Sequence, residues 1–274
     1  MKKKASKSCA TPATKPSAKT KAHVGAKVLL IDIETTPMLG WAWKKWEANL
    51  LHLERDWELL MVGYKWLHEK DVRLLSRRFL TEPELVEDTR ELLEKADIVV
   101  AHNGDSFDIK KLQAKMAEFK LSPPSPFKTV DTCKVAKNHF AFSSNKLDDL
   151  GQLLQLGRKQ DTGGFQLWLD VMDGKQEACK RMESYCKQDV ALLEKLYMQL
   201  RPWTPRHPNM AVYVNSGELS CSCCGGTEVE ETKNPYYTNS SAYRKYRCLS
   251  CGAWSRLRKA DGVVRPSSIM ADRK

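Results

Sequence analysis

Two acidic side chains separated by one residue close the first apolar run of this 274-residue chain, in Ile31-Asp32-Ile33-Glu34-Thr35-Thr36-Pro37. In an extended strand, alternate residues share a face, so Asp32 and Glu34 project to one side while Ile31 and Ile33 project to the other. Two carboxylates so placed repel each other unless a cation lies between them, and the pair therefore suggests a divalent-metal site. A solvated strand end is the ordinary alternative. A third acid, Asp108, follows the strand-like Ile98-Val-Val-Ala101 in His102-Asn103-Gly104-Asp105-Ser106-Phe107-Asp108. It falls in the first turn of a helix, facing back toward the strand ends, where an acid also answers the helix dipole. A fourth, Asp189, lies one helical turn after Tyr185 in Tyr185-Cys-Lys-Gln-Asp189, so the two share a face. Each piece alone is ordinary.

A different metal chemistry is written near the C-terminus. Cys221-x-x-Cys224-Gly225 and Cys248-x-x-Cys251-Gly252 are two knuckles with 23 residues between them. Four thiolates at this spacing can enclose one Zn²⁺ tetrahedrally, and each glycine lets the chain turn tightly beneath the sulfurs. Cys223 makes the first knuckle ambiguous, but pairing Cys221 with Cys224 mirrors the second. With no open coordination position implied, this zinc is expected to be structural. Tyrosines, tryptophan, arginines and lysines interleave around it, a composition suited to nucleic acid, although a ribbon that only docks on protein fits too.

These groups need elements to hold them. Val28 to Ile33 reads as a buried strand, followed by strands over Leu59 to Trp66 and Asp71 to Ser76. The Trp-rich stretch Trp41 to Leu53 between them reads as an irregular or helical excursion. Trp41, Trp43 and Trp46 are taken first as core packing and second as platforms for bases. Glu82 to Lys95 is a helix with Thr81 and Glu84 in capping-box register and Pro83 near its start. A helix over Ser106 to Phe119, capped by Asp105 or Ser106, follows the strand at Ile98. A strand over Phe127 to Val130 leads into helices near Thr132 to His139 and Lys146 to Leu156, with Asp131 as a helix cap or a support to the acids. The longest helical pattern, Glu177 to Leu200, ends at Pro202, Pro205 and Pro208. The plan is α/β, a mixed sheet flanked by helices.

The 42% hydrophobic content suffices for one substantial domain and a smaller module. No apolar run approaches the roughly 20 residues needed to cross a bilayer, and no secretory leader is visible. Nine cysteines, five of them clustered at metal-ligand spacing, suit a reducing, cytoplasmic setting rather than a disulfide framework. Residues 1–27 hold eight lysines and no acid, and residues 201–274 hold twelve basic against six acidic residues, which leaves 28–200 at −3 of the chain's +11. Basic flanks around an acidic centre suit a polyanion such as nucleic acid, or merely a solubilised tail. The expected organisation is a disordered basic tail over 1–26, an α/β domain over 27–205, a zinc ribbon over 210–260 and a flexible tail over 261–274.

Taken together and in order, DIET, HNGxxFD after a strand and YxxxD on the last long helix resemble the DEDD superfamily of ribonuclease H-like 3′–5′ exonucleases, in the subgroup with tyrosine in its third motif. Asp32-Ile-Glu-Thr-Thr-Pro with Trp41 nearby, Asp131-Thr132 and Lys146-Leu-Asp-Asp-Leu150 look closest to the YprB-like branch. The resemblance spans roughly residues 28–200 and implies a ribonuclease H-like fold. It further implies that Asp32, Glu34, Asp108 and Asp189 hold two Mg²⁺ or Mn²⁺ ions, with Tyr185 orienting the attacking water. The implied activity is hydrolysis of nucleic acid from 3′ ends, single-stranded DNA being favoured. An exoribonuclease, a nuclease preferring structured junctions, and a nucleic-acid-binding protein without catalysis are the alternatives. His102 and Asn103 border the site and can contact a nucleotide. Lys159, in the glycine-containing loop from Leu156 to Gly164, can reach a phosphate or be a plain exposed lysine.

Overall fold

A computed structural model describes residues 25–44, 46, 49–67, 69–214, 217–239 and 241–259. The expected basic tail up to residue 24 and the C-terminal tail from residue 260 lie outside the described residues.

β1 (Val28–Thr35) leads into a short hairpin, β2 (Leu39–Trp41) and β3 (His52–Arg55), and then β4 (Leu59–Trp66) and β5 (Arg73–Ser76). The helix α1 (Glu82–Glu94) is followed by β6 (Ile98–Ala101), α2 (Asp108–Glu118), β7 (Lys128–Asp131) and α3 (Thr132–His139). Three helices complete the larger unit: α4 (Leu147–Leu153), α5 (Gln166–Met172) and the 25-residue α6 (Gln176–Leu200). The five-stranded sheet runs β5-β4-β1-β6-β7. β1 pairs antiparallel with β4 and parallel with β6, so the sheet is mixed, as its sequence implied.

Alternation along β1 builds the two cores. Leu29, Ile31 and Ile33 pack with Leu85 and Val86 of α1 and Leu112 and Met116 of α2. Val28 and Leu30 turn to the opposite face, against Val190, Leu193 and Tyr197 of α6. Asp32 and Glu34 continue this second face at the strand's end, beyond the point where apolar residues fill it. The Thr81–Glu84 capping box forms at the start of α1.

Some expectations fail here for physical reasons. The stretch from Trp41 to Leu53 is irregular over its described residues between 42 and 51, as expected and not helical there, and its two ends pair as the β2–β3 hairpin, which was not expected. Trp41, Trp43 and Trp46 are 63%, 83% and 88% exposed, so they do not pack the core. Helix α2 starts at Asp108, with Phe107 at its N-cap and no side-chain cap from Asp105 or Ser106, because Asp105 is drawn to Lys134 instead. The short helix α5 was not anticipated, since seven residues between glycines carry too little periodicity to register.

How closely α6 lies on the sheet is decided at Gly63, the β4 partner of Asp32. A Cβ there would sit 2.7 Å from the Cys186 Sγ and 3.0 Å from a Val190 methyl. Two strand positions along, Lys65 Nζ donates to Glu194 of α6 at 2.5 Å, an ion pair with little exposure. Substituting Gly63→Ala should force α6 outward and destabilise the protein by about 2 kcal/mol, the usual cost of overpacking. Urea denaturation checks this, and an unchanged midpoint would show that the approach is not tight.

Candidate active site and metal centre

The acids converge where the β1 end meets α6 and the start of α2. The face that carries Asp32 and Glu34 is covered by α6, whose buried stripe includes Cys186, Asp189, Val190 and Leu193. Asp189 is thus an acid in the buried row of a helix, only 1% exposed. Ligand atoms of Asp32, Glu34 and Asp189 all lie within 4.8 Å of one another.

Asp108 reaches the same strand by another route. After β6 the chain turns sharply: Asn103 adopts φ 65°, and a Cβ on Gly104 would lie 2.3 Å from the Ala101 Cβ, so only glycine fits. The Asp131 carboxylate accepts the Asn103 N–H at 2.9 Å and caps α3 through Cys133 and Lys134. This bracing sets Asp108 as the first residue of α2, where its Oδ1 accepts the Ile33 N–H at 3.1 Å. Asp108 is 3% exposed and stands beside the trio rather than within it.

Burial and mutual repulsion dominate the electrostatics. Burial first, then Asp108, Glu34 and Asp189, push the Asp32 carboxyl well above the usual carboxylate range. Burial, with Asp189 next among the causes that raise it, lifts Glu34 to about 8. Burial raises Asp108 to about 7 despite its backbone hydrogen bonds. Such values mean that negative charge has collected where water is scarce, an arrangement that a divalent cation relieves. Asp189 Oδ1 is buried and has no hydrogen-bond partner, which leaves a carboxylate oxygen open for a ligand. The donor set is all oxygen, the kind that suits Mg²⁺ or Mn²⁺.

Lys159 is inside this cluster rather than a plain loop lysine. Its ammonium contacts Asp189 and donates to the Tyr185 hydroxyl at 3.0 Å. Burial opposes its charge, but Asp189 and Tyr185 hold the ammonium above the ordinary lysine range. Burial pushes the Tyr185 hydroxyl well above the usual tyrosine range. Tyr185 packs edge-on against Trp168 of α5, the helix missed from sequence. Of the remaining residues singled out from sequence, Asn103 is exposed and uses its backbone N–H on Asp131, whereas the His102 side chain is engaged in structure. Both His102 ring nitrogens are used, with the Thr132 hydroxyl and the Asn145 carbonyl each at 2.9 Å, and burial lowers its pKa.

The C-terminal unit contains β8 (Val229–Glu231), β9 (Tyr236–Tyr237), β10 (Ala242–Tyr243), β11 (Lys245–Cys248) and β12 (Trp254–Arg256). The sulfurs of Cys221, Cys224, Cys248 and Cys251 lie within 4.8 Å of one another. Cys221 and Cys251 are 3.7 Å apart, and Cys224 and Cys248 are 3.6 Å apart. The edge of a tetrahedron with Zn–S bonds of about 2.3 Å is about 3.8 Å, so the set fits zinc. The Cys223 N–H points at the Cys221 sulfur at 3.3 Å, and the Gly226 N–H points at the Cys224 sulfur at 3.4 Å. Gly225 and Gly252 both take positive φ, 77° and 75°. Cys223 is buried outside the four, which resolves the first knuckle. Beyond the cysteines and Ala253 this unit has almost no apolar core.

A family model described as RNase_H superfamily matches residues 29–201. Among solved structures, the family B DNA polymerase from the hyperthermophilic archaeon Pyrobaculum calidifontis superposes with a TM-score of 0.50 at 11% sequence identity. The match covers 80% of this chain and 32% of that one, so the chain spans about a third of the polymerase, and the likeness is one of fold. No curated protein matches the chain.

Two measurements follow from these sites. A carboxyl held at about 8 in the fold, against 4.5 when unperturbed, keeps its proton only in the folded state between those values. Its contribution is therefore whole below the lower value and is lost as pH rises through the upper. In EDTA, the wild type should lose stability relative to Glu34→Gln as pH rises from about 4.5 to about 8, and thermal melts of both proteins would show it. A pH-independent difference would refute the burial of Glu34. Purified protein should also carry stoichiometric zinc by elemental analysis, and Cys224→Ser should lose the metal together with the fold of the C-terminal unit.

Proposed function

The chain belongs to the RNase_H superfamily, and from that premise we propose that it is a two-metal 3′–5′ exonuclease, with Asp32, Glu34, Asp108 and Asp189 as ligands of Mg²⁺ or Mn²⁺ and Cys221, Cys224, Cys248 and Cys251 as ligands of a structural Zn²⁺. Within the superfamily we assign it, on the motifs DIET, HNGxxFD and YxxxD, to the DEDD group with tyrosine in the third motif, nearest the YprB-like branch. The observation that carries the reading is the convergence of Asp32, Glu34 and Asp189, the last with a buried, unpartnered oxygen. We also assign residues 1–26 to a basic tail, 27–205 to the nuclease domain, 210–260 to the zinc ribbon and 261–274 to a flexible tail.

Bound at these acids, the cations would activate a water and stabilise the departing 3′-oxygen of a phosphodiester. The chain's own groups do the rest. Tyr185 stays protonated, because burial holds its hydroxyl far above neutral pH, so it orients the attacking water by hydrogen bonding rather than serving as a base. Lys159, which rests on Asp189 and Tyr185 in the metal-free fold, is placed to turn its ammonium to the scissile phosphate once cations neutralise the acids. Asn103 and His102 shape the floor beside Asp108. The substrate is single-stranded DNA ends, with RNA or junction structures as variants of the same chemistry, and the products are nucleoside 5′-monophosphates. Among the described residues no helix is long and apolar enough to cross a membrane, and we assign the protein to the cytoplasm.

One observation favours a second reading. The Lys159 ammonium already neutralises Asp189, so the acids can be stable without metal, as in a nucleic-acid-binding protein that has no catalysis.

Incubating the protein with end-labelled single- and double-stranded DNA and RNA in Mg²⁺ or Mn²⁺ separates these readings. Digestion should proceed from the 3′ end and release mononucleotides. Asp32→Ala and Asp189→Asn should each reduce it at least about 1,000-fold, an effect of the size seen when a principal electrostatic group is lost. Metal-dependent binding without turnover by the wild type would establish the second reading instead.

A further inference from the structure

A cleft of about 650 Å³ opens between the C-terminal end of α6 and the zinc ribbon, away from the acids. One wall is the short turn Arg201–Trp203 and the segment to Asn209, and the other is β12 with Tyr236, Lys245, Leu257 and Arg258. Among the described residues, no acidic residue lines it. Among the described residues, the ribbon's ion pair joins Arg244 to Glu231, and neither faces the cleft. Arg201, Lys245, Arg256 and Arg258 therefore meet no carboxylate there among the described residues.

Two features separate this cleft from an ordinary charged surface. Arg201 is only 6% exposed, yet its Nε is buried without a hydrogen-bond partner. A guanidinium N–H so placed costs free energy unless an acceptor arrives. Aromatic faces also stand open among the cations: Trp203 is 67% and Trp254 57% exposed. Arg256 stacks on Tyr243 at 4.0 Å, and Lys245 lies 5.1 Å from the Trp254 ring centre. Cations without acids would suit any polyanion, but large flat rings between them suit one whose charged backbone carries stackable bases.

We propose that this cleft is a second binding site for single-stranded nucleic acid, holding the body of the strand whose end lies at the acids. The polymer's identity rests on the nuclease reading above. Arg201 lies twelve residues beyond Asp189 on one continuous helical path, roughly 18 Å at the helical rise. At the roughly 3.4 Å per nucleotide of a fully stacked strand, about five nucleotides span that distance, and a more extended strand needs fewer. Trp203 and Trp254 stack on bases, and Lys245, Arg256 and Arg258 hold phosphates.

The test is fluorescence anisotropy with labelled 12-nucleotide oligo-dT and oligo-rU in EDTA, using the full chain with Asp189→Asn so that nothing is digested. Trp254→Ala and Trp203→Ala should each weaken binding about tenfold, the loss of one stacked base. Arg258→Ala should lower the log–log salt slope by about 0.7. Lys233→Ala, an exposed ribbon lysine outside the cleft, should leave both unchanged. Zinc content and melting temperature confirm that each variant is folded. Unchanged binding in the tryptophan and Arg258 variants, equal loss in Lys233→Ala, or displacement of the oligonucleotide by polyglutamate of equal charge would each overturn the proposal. Because catalysis is absent throughout, a wild type that digests nothing would sink the nuclease reading while leaving this result to stand on the binding data.

Discussion

The structure depends on holding like charges together out of water. Asp32, Glu34 and Asp189 bring oxygens within 4.8 Å of one another, with Asp108 beside them, and burial raises every one of their pKa values. No fold does this without a structural reason, because each ionised member destabilises the others. The cost is offset by the two apolar cores on either side of the sheet, by the close seat of α6 at Gly63, and by Lys159, the cation already present. The acids lie at the end of β1, where the packed face of the sheet stops. A residue or two further back they would be sealed in the core, and a turn further on they would be solvated and unremarkable.

Much of this was legible because the acids occupy regular elements. The alternation in Leu30-Ile31-Asp32-Ile33-Glu34 fixes which side chains share a face before any neighbour is known, and the i, i+4 relation does the same for Tyr185 and Asp189. The turn at Asn103-Gly104 follows from local backbone chemistry. What could not be read lies in loops or depends on long-range packing. Lys159 comes from an irregular segment, and nothing in Leu156-Gly-Arg-Lys reveals that its ammonium lies against a helix thirty residues later. The exposure of Trp41, Trp43 and Trp46 escaped for the converse reason: a tryptophan is nearly always worth burying, and only the tertiary fold shows that β2 and β3 pair as a sheet of their own outside the five-stranded one. Asp131 shows how far one side chain's role can depend on its surroundings. By sequence it competes with the four acids, but its oxygens are spent on Asn103, Cys133 and Lys134.

Among the described residues, two metal-type sites are built on opposite principles. In the ribbon, four cysteines surround one point and supply most of the local core, so the expected zinc is sealed in and its binding energy is folding energy. At the acids, the surrounding domain is stable by its own packing. The ligands there are hard oxygens, they include an unpartnered one, and they lie at the edge of the sheet. Mg²⁺ at carboxylates of that kind commonly keeps positions for waters or phosphate oxygens. Removing the metal should therefore unfold one unit and only quiet the other.

The separation of charge along the chain gains a physical meaning from this arrangement. A polyanion has no reason to approach a cluster of carboxylates, and in the absence of cations it would be repelled. Residues 28–200 carry a net −3, whereas the flanks carry the excess positive charge. If the strand is first held by the cations and exposed rings of the cleft, its end is tethered roughly 18 Å away along α6. Its effective concentration at the acids then no longer depends on their own weak or unfavourable attraction. Positive charge placed at the acids themselves would pair with them, as Lys159 does, and compete with the metals. Positive charge kept at the far end of the helix attracts the substrate without neutralising the ligands, which is a reason for a nuclease domain with an acidic centre to carry a basic ribbon on the end of its longest helix.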